Sequence, residues 1–248
     1  MIQKGIPFIY HTTESSLEET GEGFRSSAIV EWHRGDYNGV LFGGVLAGTG
    51  KIPNHKSKKS DLNGVSIGGL WSSVKGNLNG ASLGLLAVVS SSFYGLQVGG
   101  IASICDYDRG VDSEDRRKSS KGLSFGGLVS LIEGNMNGVS IGVIRSEIDG
   151  DIRGLNLSVF CSSGKWDVKG ASISAVSNSY RKQLSGFSYG TLYNHAGSNG
   201  RFAFQVGAVN HMTRYNPNGL VIQIGLYNQI GERMIPGLNI RGLRNILG

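Results

Sequence analysis

The stretch Met136–Gly170, MNGVSIGVIRSEIDGDIRGLNLSVFCSSGKWDVKG, states one pattern almost three times at a regular spacing. Gly138, Gly154 and Gly170 open the three copies, and an apolar, a small polar and another apolar residue follow each glycine. A further apolar residue lies six positions after each glycine, and another lies two positions before it. Because self-similarity at a fixed period is typical of repeat architectures, the stretch predicts a chain built of stacked units.

The same pattern extends in both directions along the chain. Its first position is occupied by Gly39, Gly64, Gly80, Gly95, Gly122, Gly138, Gly154, Gly170, Gly186, Ala203, Val221 and Gly237. The third position is mostly Ser, Gln or Asn, the fifth is usually glycine and the seventh is apolar. Glycine supplies 40 of 248 residues, more than twice the usual share of about 7%. Since this excess is periodic, it indicates backbone geometry rather than disorder.

These features predict an all-β fold, a β-solenoid of about twelve coils of about 16 residues each. Equivalent residues would stack in register, with apolar ladders inside and Ser, Gln or Asn ladders that hydrogen-bond along the stack. The alternative is an up-and-down β-barrel with one strand per repeat, with which the alternation in Leu155–Cys161 is compatible. Consecutive strands of such a barrel run in opposite directions, so its natural period would be a hairpin of two units. A one-unit period therefore favours the solenoid.

The repeat also predicts the domain organisation. Residues 1–38 do not show it clearly and are interpreted as an N-terminal cap, with a strand at Ser27–His33. Residues 39–248 form the glycine-rich repeat domain, with insertions at 48–61 and 105–121. Both insertions begin nine or ten residues into a unit, so a solenoid would release them from the same edge, about three layers apart.

The two insertions carry the best candidate for an interaction patch. Its residues are Lys56, Lys58, Lys59, Arg116, Arg117, Lys118 and Lys121. A net charge of +6 permits an acidic partner, and such a patch can bind anionic lipid or nucleic acid. Aromatic residues for base stacking are not interleaved with it. The expected partner is an anionic surface or another protein, with no sequence-specific nucleic-acid motif.

Other chemical patterns are weaker. His195 and His211 lie one repeat apart and would be close in a solenoid, as stacked surface histidines rather than a zinc or catalytic pair. Asp106–Glu114 resembles a calcium loop without its glycine and closing carboxylate. Gly48–Lys51 resembles a phosphate loop without its first glycine and its Ser or Thr. Asn156 begins a glycosylation sequon in mid-strand. We therefore expect no metal, cofactor or catalytic residue, and no enzyme.

The cysteines and the hydropathy pattern bear on the compartment. Cys105 and Cys161 fall three repeats apart, roughly 14 Å in a stacked fold, whereas a disulfide needs Cα atoms within about 7 Å. Two free thiols are therefore expected. No signal peptide and no apolar stretch of membrane-spanning length are visible in the sequence.

Near the C-terminus the stretch 222–242, IQIGLYNQIGERMIPGLNIRG, resembles the leptospiral-type surface-repeat proteins, whose units read roughly Gly-Leu-Gln-Ile-Gly-Leu-Tyr/Val-Asn. The resemblance covers about residues 39–245 and is most specific in the copies at Ala203 and Val221. It implies a location at the cell surface, but no activity or ligand.

The expected function is that of a non-catalytic repeat protein that serves as a structural element or an interaction surface. The alternative is a membrane-inserted β-barrel that forms a pore, which requires a continuous lipid-facing apolar band. Arg145 and Glu147 count against it, because they fall on the same alternating face as Val139 and Ile141.

Overall fold

The computed structural model describes residues 10–13, 21–33, 35–50, 60–105 and 119–241. Over these residues the chain is all-β, with 21 strands and no helix. The strands form a β-solenoid of about twelve turns with a spacing of about 16 residues, which confirms the predicted fold class. The chain divides into two compact units, Met1–Leu131 and Ile132–Gly248.

The strands alternate between longer and shorter segments in both units. The first unit contains β1 (Tyr10–Thr13), β2 (Gly21–Ser27), β3 (Val30–His33), β4 (Tyr37–Gly43), β5 (Leu46–Thr49), β6 (Leu62–Gly68), β7 (Trp71–Gly84), β8 (Ala87–Gly99), β9 (Ala102–Cys105), β10 (Ser119–Gly126) and β11 (Val129–Ile132). The second contains β12 (Asn135–Gly142), β13 (Arg145–Ile148), β14 (Ile152–Ser158), β15 (Cys161–Gly164), β16 (Val168–Ser174), β17 (Ser177–Gly190), β18 (Tyr193–Val206), β19 (Val209–Arg214), β20 (Leu220–Ile230) and β21 (Arg233–Arg241).

One coil consists of a long strand, a bend, a short strand and a second bend. In the coil of Gly154, β14 is the long strand and β15 is the short strand. β14 pairs with β16 in parallel, so that Gly154 lies opposite Gly170, and β15 pairs in parallel with β17. Residues one repeat apart therefore occupy one column. The barrel alternative is wrong, because its neighbouring strands would be antiparallel.

Both ends of the repeat differ from the sequence pattern. β2 pairs in parallel with β4, with Gly23 opposite Gly39, and β1 pairs in parallel with β3, so the stacking begins before the first predicted copy. Arg25 at the third position, where Ser is usual, hides this copy in the sequence. At the other end, β21 pairs with β20 in antiparallel fashion. The copy at Gly237, which the sequence pattern places among the stacked units, is instead the second strand of a hairpin.

A column of glycines runs along the long strands. Gly154 has a φ of +138°, a conformation that side-chain-bearing residues rarely adopt. A methyl group built on it would overlap the carbonyl oxygen of Gly138 in the preceding coil, and one on Gly170 would overlap that of Gly154. The first position is therefore glycine for two reasons, its left-handed φ and the close approach of adjacent backbones.

In most coils the interior is polar at the end near the first bend. The third and ninth positions point inward and meet there, as in the hydrogen bond of 2.9 Å between Ser140 Oγ and Ser146 Oγ. In later coils asparagine occupies the ninth position or its structural equivalent. Asn178 Nδ2 donates to Asn194 Oδ1 (3.0 Å), and Asn194 Nδ2 donates to Asn210 Oδ1 (2.9 Å). The predicted polar ladder is confirmed, but it lies inside the solenoid.

The other end of the interior is apolar. It is filled by the residue two positions before each first position and by the eleventh residue of the coil. In the second unit the fully buried side chains of this kind include Met136, Ile148, Ile152, Val168, Tyr180, Leu184 and Met212. Apolar side chains therefore fill about half of the coil interior, and hydrogen-bonded polar side chains fill the rest.

The apolar residues at positions two, four and seven lie on the outside, contrary to the prediction of apolar ladders inside. In β14 the buried side chain is Asn156, with none of its surface exposed, whereas Leu155 and Leu157 on either side of it are only half-buried. Space and hydrogen bonding together favour this orientation. The strands approach so closely at the bend that a methyl group on Gly126 would overlap the carbonyl oxygen of Val129. Small hydrogen-bonding side chains fill this narrow interior in most coils, whereas the coil of Gly39 has Leu41 at the third position and the small Ala47 at the ninth, both buried.

Tyr180 makes the interior sensitive to alkaline pH. Its side chain is fully buried, and this burial raises the pKa of the phenol far above its ordinary value of 10. Because the folded state disfavours the phenolate, stability is complete below pH 10 and is lost as the pH rises beyond it. We expect the denaturation midpoint of the wild type to fall steeply above pH 10, and that of Tyr180→Phe to fall less. An equal fall in both proteins would contradict this role of Tyr180.

Candidate interaction surfaces

Of the seven residues in the predicted basic patch, the structure describes one. Lys121 is exposed at the start of β10, and its Nζ lies 5.6 Å from the centre of the Tyr94 ring on the adjacent strand. The other six, Lys56, Lys58, Lys59, Arg116, Arg117 and Lys118, lie outside the described residues. The predicted calcium-loop segment Asp106–Glu114 also lies there, as does Lys51 of the loop that resembles a phosphate site.

The two insertions leave the first unit from one column. Thr49 ends β5 before the first insertion, and Cys105 ends β9 before the second. The register runs from Thr49 to Val74, then to Ser90 and then to Cys105. The predicted departure from the same edge, three layers apart, is confirmed, which corresponds to about 14 Å at the usual strand separation.

The outer face of the long strands is apolar in the first unit. Its columns at positions two, four and seven contain Val40, Phe42, Val45, Val65, Ile67, Leu70, Ala81, Leu83, Leu86, Leu96, Val98, Ile101, Leu123, Phe125 and Leu128. Five layers of about 4.8 Å and about five residues of strand give roughly 400 Å². We call this surface, and its equivalent in the second unit, the long-strand face. A contiguous apolar patch of this size on a protein surface often has a function.

The second unit repeats the long-strand face over six layers. Its residues at the same positions are Val139, Ile141, Ile144, Leu155, Leu157, Phe160, Ala171, Ile173, Val176, Phe187, Tyr189, Leu192, Phe204, Val206, Ile222 and Ile224. The side chains at the bend are the most exposed, with Phe160 at 51% and Leu192 at 58%. No charged residue occurs in these columns among the described residues of either unit.

Charges in the second unit are segregated around this face. The charged residues on its long strands β12, β14 and β16 are Arg153 and Lys169, adjacent in one column at the margin of the apolar surface. Both are exposed, and neither side chain forms an ion pair or a hydrogen bond with a described residue. The six acidic residues described in this unit lie on short strands or in bends, namely Glu133, Glu147, Asp149, Asp151, Asp167 and Glu232.

Two pairs of opposite charges lie on the short-strand side of the second unit. Arg145 lies 2.7 Å from Glu147, and Lys165 lies 2.5 Å from Asp149. The arrangement thus combines an apolar centre with one margin at which two cations lack such carboxylate partners among the described residues.

The two histidines that the spacing predicts to be close are neighbours in the structure. His195 and His211 lie opposite each other on β18 and β19, with ring centroids 5.1 Å apart. His195 Nε2 lies 3.2 Å from Thr213 Oγ1, and Tyr193 Oη lies 3.5 Å from His211 Nδ1. Burial, and secondly the neighbouring His211, lower the pKa of His195 below its ordinary value.

This pair predicts a weak acid sensitivity. Because the folded state favours neutral His195, its contribution to stability is present above pH 6.5 and is lost as the pH falls through the lowered pKa. NMR titration of the imidazoles should show the pKa of His195 below its ordinary value of 6.5 in the wild type. We expect His211→Gln to raise the pKa of His195, since one neighbouring charge is removed, and an unchanged value would contradict the coupling.

The first coil encloses an unusual polar cluster. Glu31 and His33 are almost fully buried at positions that hold Ser and an apolar residue elsewhere. The ring of His33 lies 5.0 Å from that of Tyr37, whose hydroxyl donates a 3.0 Å hydrogen bond to the Gly23 carbonyl. Burial, followed by the charge of Arg25, lowers the pKa of His33. Since these groups are closed to solvent, the cluster is part of the coil interior.

The remaining sequence motifs are structural. Gly48 and Thr49 belong to β5, and Thr49 Oγ1 donates to the Ser60 carbonyl. Asn156 of the sequon is fully buried inside the solenoid. Cys105 and Cys161 are both unbridged thiols, as predicted, the first buried and the second exposed. The described part of the chain contains no group of three or more His, Cys, Asp or Glu that could hold a metal ion.

Comparison with known proteins finds no match to the chain among protein-family models, curated proteins or solved structures. The resemblance to the leptospiral-type surface-repeat proteins therefore stays a prediction. Within the described residues, no helix has the length and apolar character needed to cross a membrane.

The long-strand face is the feature that sequence reasoning missed. Its signal was the persistence of an apolar residue at positions two and four in almost every copy, without a single charged exception. A column that is never charged in eleven copies is either buried in the protein or covered by an apolar partner. The sequence pattern predicted the first of these.

Proposed function

We propose that the protein is a non-catalytic repeat protein whose long-strand face is an interaction surface. The supporting observation is the uncharged run of apolar columns on the outside of consecutive coils. An apolar surface of several hundred Å² exposed to water favours association with an apolar partner, because burial releases the water that covers it.

Two substitutions in one coil test this function. Ile173→Asp places a charge on the long-strand face, and Ser179→Asp places the same charge on the short-strand side, both at exposed positions. We expect the wild type and Ser179→Asp to be retained on a phenyl column and to enhance the fluorescence of an anilinonaphthalene sulfonate probe. Ile173→Asp should elute earlier and enhance it less. Equal behaviour of all three folded proteins would contradict an interaction surface at this face.

A further inference from the structure

The long-strand face of the second unit has a chemistry that identifies its partner class. At one margin the apolar columns lie next to the exposed Arg153 and Lys169. Basic side chains reach phosphate groups while apolar neighbours enter the acyl boundary. An anionic lipid surface complements both features at once.

The state of the cations supports this occupant. Arg145 and Lys165 on the short-strand side have carboxylate partners within the unit, whereas Arg153 and Lys169 have no described partner. A second copy of the same face offers these two cations no carboxylate from β12, β14 or β16, which carry none. A bilayer that contains anionic headgroups supplies the missing negative charge.

We propose that the long-strand face of the Ile132–Gly248 unit docks on an anionic phospholipid bilayer. Its apolar columns lie at the boundary between headgroups and acyl chains, and Arg153 and Lys169 contact lipid phosphates. This inference rests on the proposed interaction surface and names its partner. Recognition is by surface charge and apolar contact.

Flotation of the full chain with vesicles tests the inference. Vesicles of phosphatidylcholine alone are compared with vesicles that also contain phosphatidylglycerol, at low and at high salt. We expect binding to the anionic vesicles, and a loss of about 30-fold in Arg153→Gln/Lys169→Gln, since each basic residue near the surface contributes about fivefold. The control Lys165→Gln/Arg214→Gln removes the same charge from exposed positions at the ends of short strands, outside the columns of the long-strand face. It should bind within about threefold of the wild type.

The outcomes separate this inference from the proposed function. Equal loss in both double variants, or equal flotation with neutral and anionic vesicles, overturns the role of Arg153 and Lys169. Self-association in the absence of lipid that Ile173→Asp abolishes, without flotation, overturns the lipid partner and leaves the interaction surface standing. A wild type that neither floats, associates nor is retained on a phenyl column overturns both. Circular dichroism of each variant confirms that it keeps its β-structure.

Discussion

Gly154→Ala is expected to lower the free energy of unfolding by about 4 kcal/mol. Alanine rarely adopts the φ of +138° found there, and its methyl group would overlap the carbonyl oxygen of Gly138. Neither backbone can move alone, because β12 and β14 are held in register over seven residue pairs. The strain would therefore spread to adjacent coils, and the denaturation midpoint measured by circular dichroism should fall markedly.

The matched control is Gly164→Ala on the short strand of the same coil. A methyl group at Gly164 would meet side-chain atoms of Tyr180 and Ile152 at 3.1 and 3.2 Å, and these can move by a few tenths of an ångström. We expect a loss of at most about 1 kcal/mol. Comparable losses in the two variants would show that glycine content, rather than the left-handed column, is what stabilises the coil.

Asn194→Ala is expected to cost about 3–4 kcal/mol of stability, since it interrupts a buried ladder. The Asn194 amide donates to Asn210 Oδ1 at 2.9 Å and to the Val206 carbonyl at 2.7 Å. Its oxygen accepts hydrogen bonds from Asn178 and Ser188. Alanine would leave these buried partners without their bonds, and chemical denaturation should show an earlier and broader transition.

An exposed ladder supplies the control for this substitution. Asn79 Nδ2 donates to Asn63 Oδ1 at 2.7 Å, with the same one-coil step but at the surface. Water replaces the lost hydrogen bond there, so Asn79→Ala should cost less than about 1 kcal/mol. If Asn194→Ala were as mild as Asn79→Ala, the interior amides would not be essential to the stack.

Asn156 shows how far pattern reasoning reached. The alternation Leu155-Asn156-Leu157 correctly predicts a strand, and the copy one repeat later correctly predicts parallel stacking of equivalent residues. The prediction was wrong about which side chains point inward. A period of two divides the side chains of a strand between two faces, but it does not show which face is buried. The general preference of leucine for the interior pointed to the wrong set.

The ends of the repeat show a second limit. Gly23 stands one repeat before Gly39, but Arg25 at an otherwise Ser position concealed the coil. The copy at Gly237 fits the motif at several positions and nevertheless pairs in antiparallel fashion with β20. The direction of a strand depends on the segment that connects it to its neighbour. The turn at Gly231 returns the chain directly along β20, whereas the other copies are connected through a full coil.

The sequence by itself determined the period, the β-class and the parallel register, because identical residues in every repeat require identical surroundings and glycine at a fixed place requires a fixed backbone conformation. It also determined the common edge from which the insertions leave. Only the tertiary structure decided which columns face water. Near the first bend the narrow interior is filled mostly by hydrogen-bonding Ser, Asn and Gln side chains, so the apolar columns lie outside, beside Arg153 and Lys169.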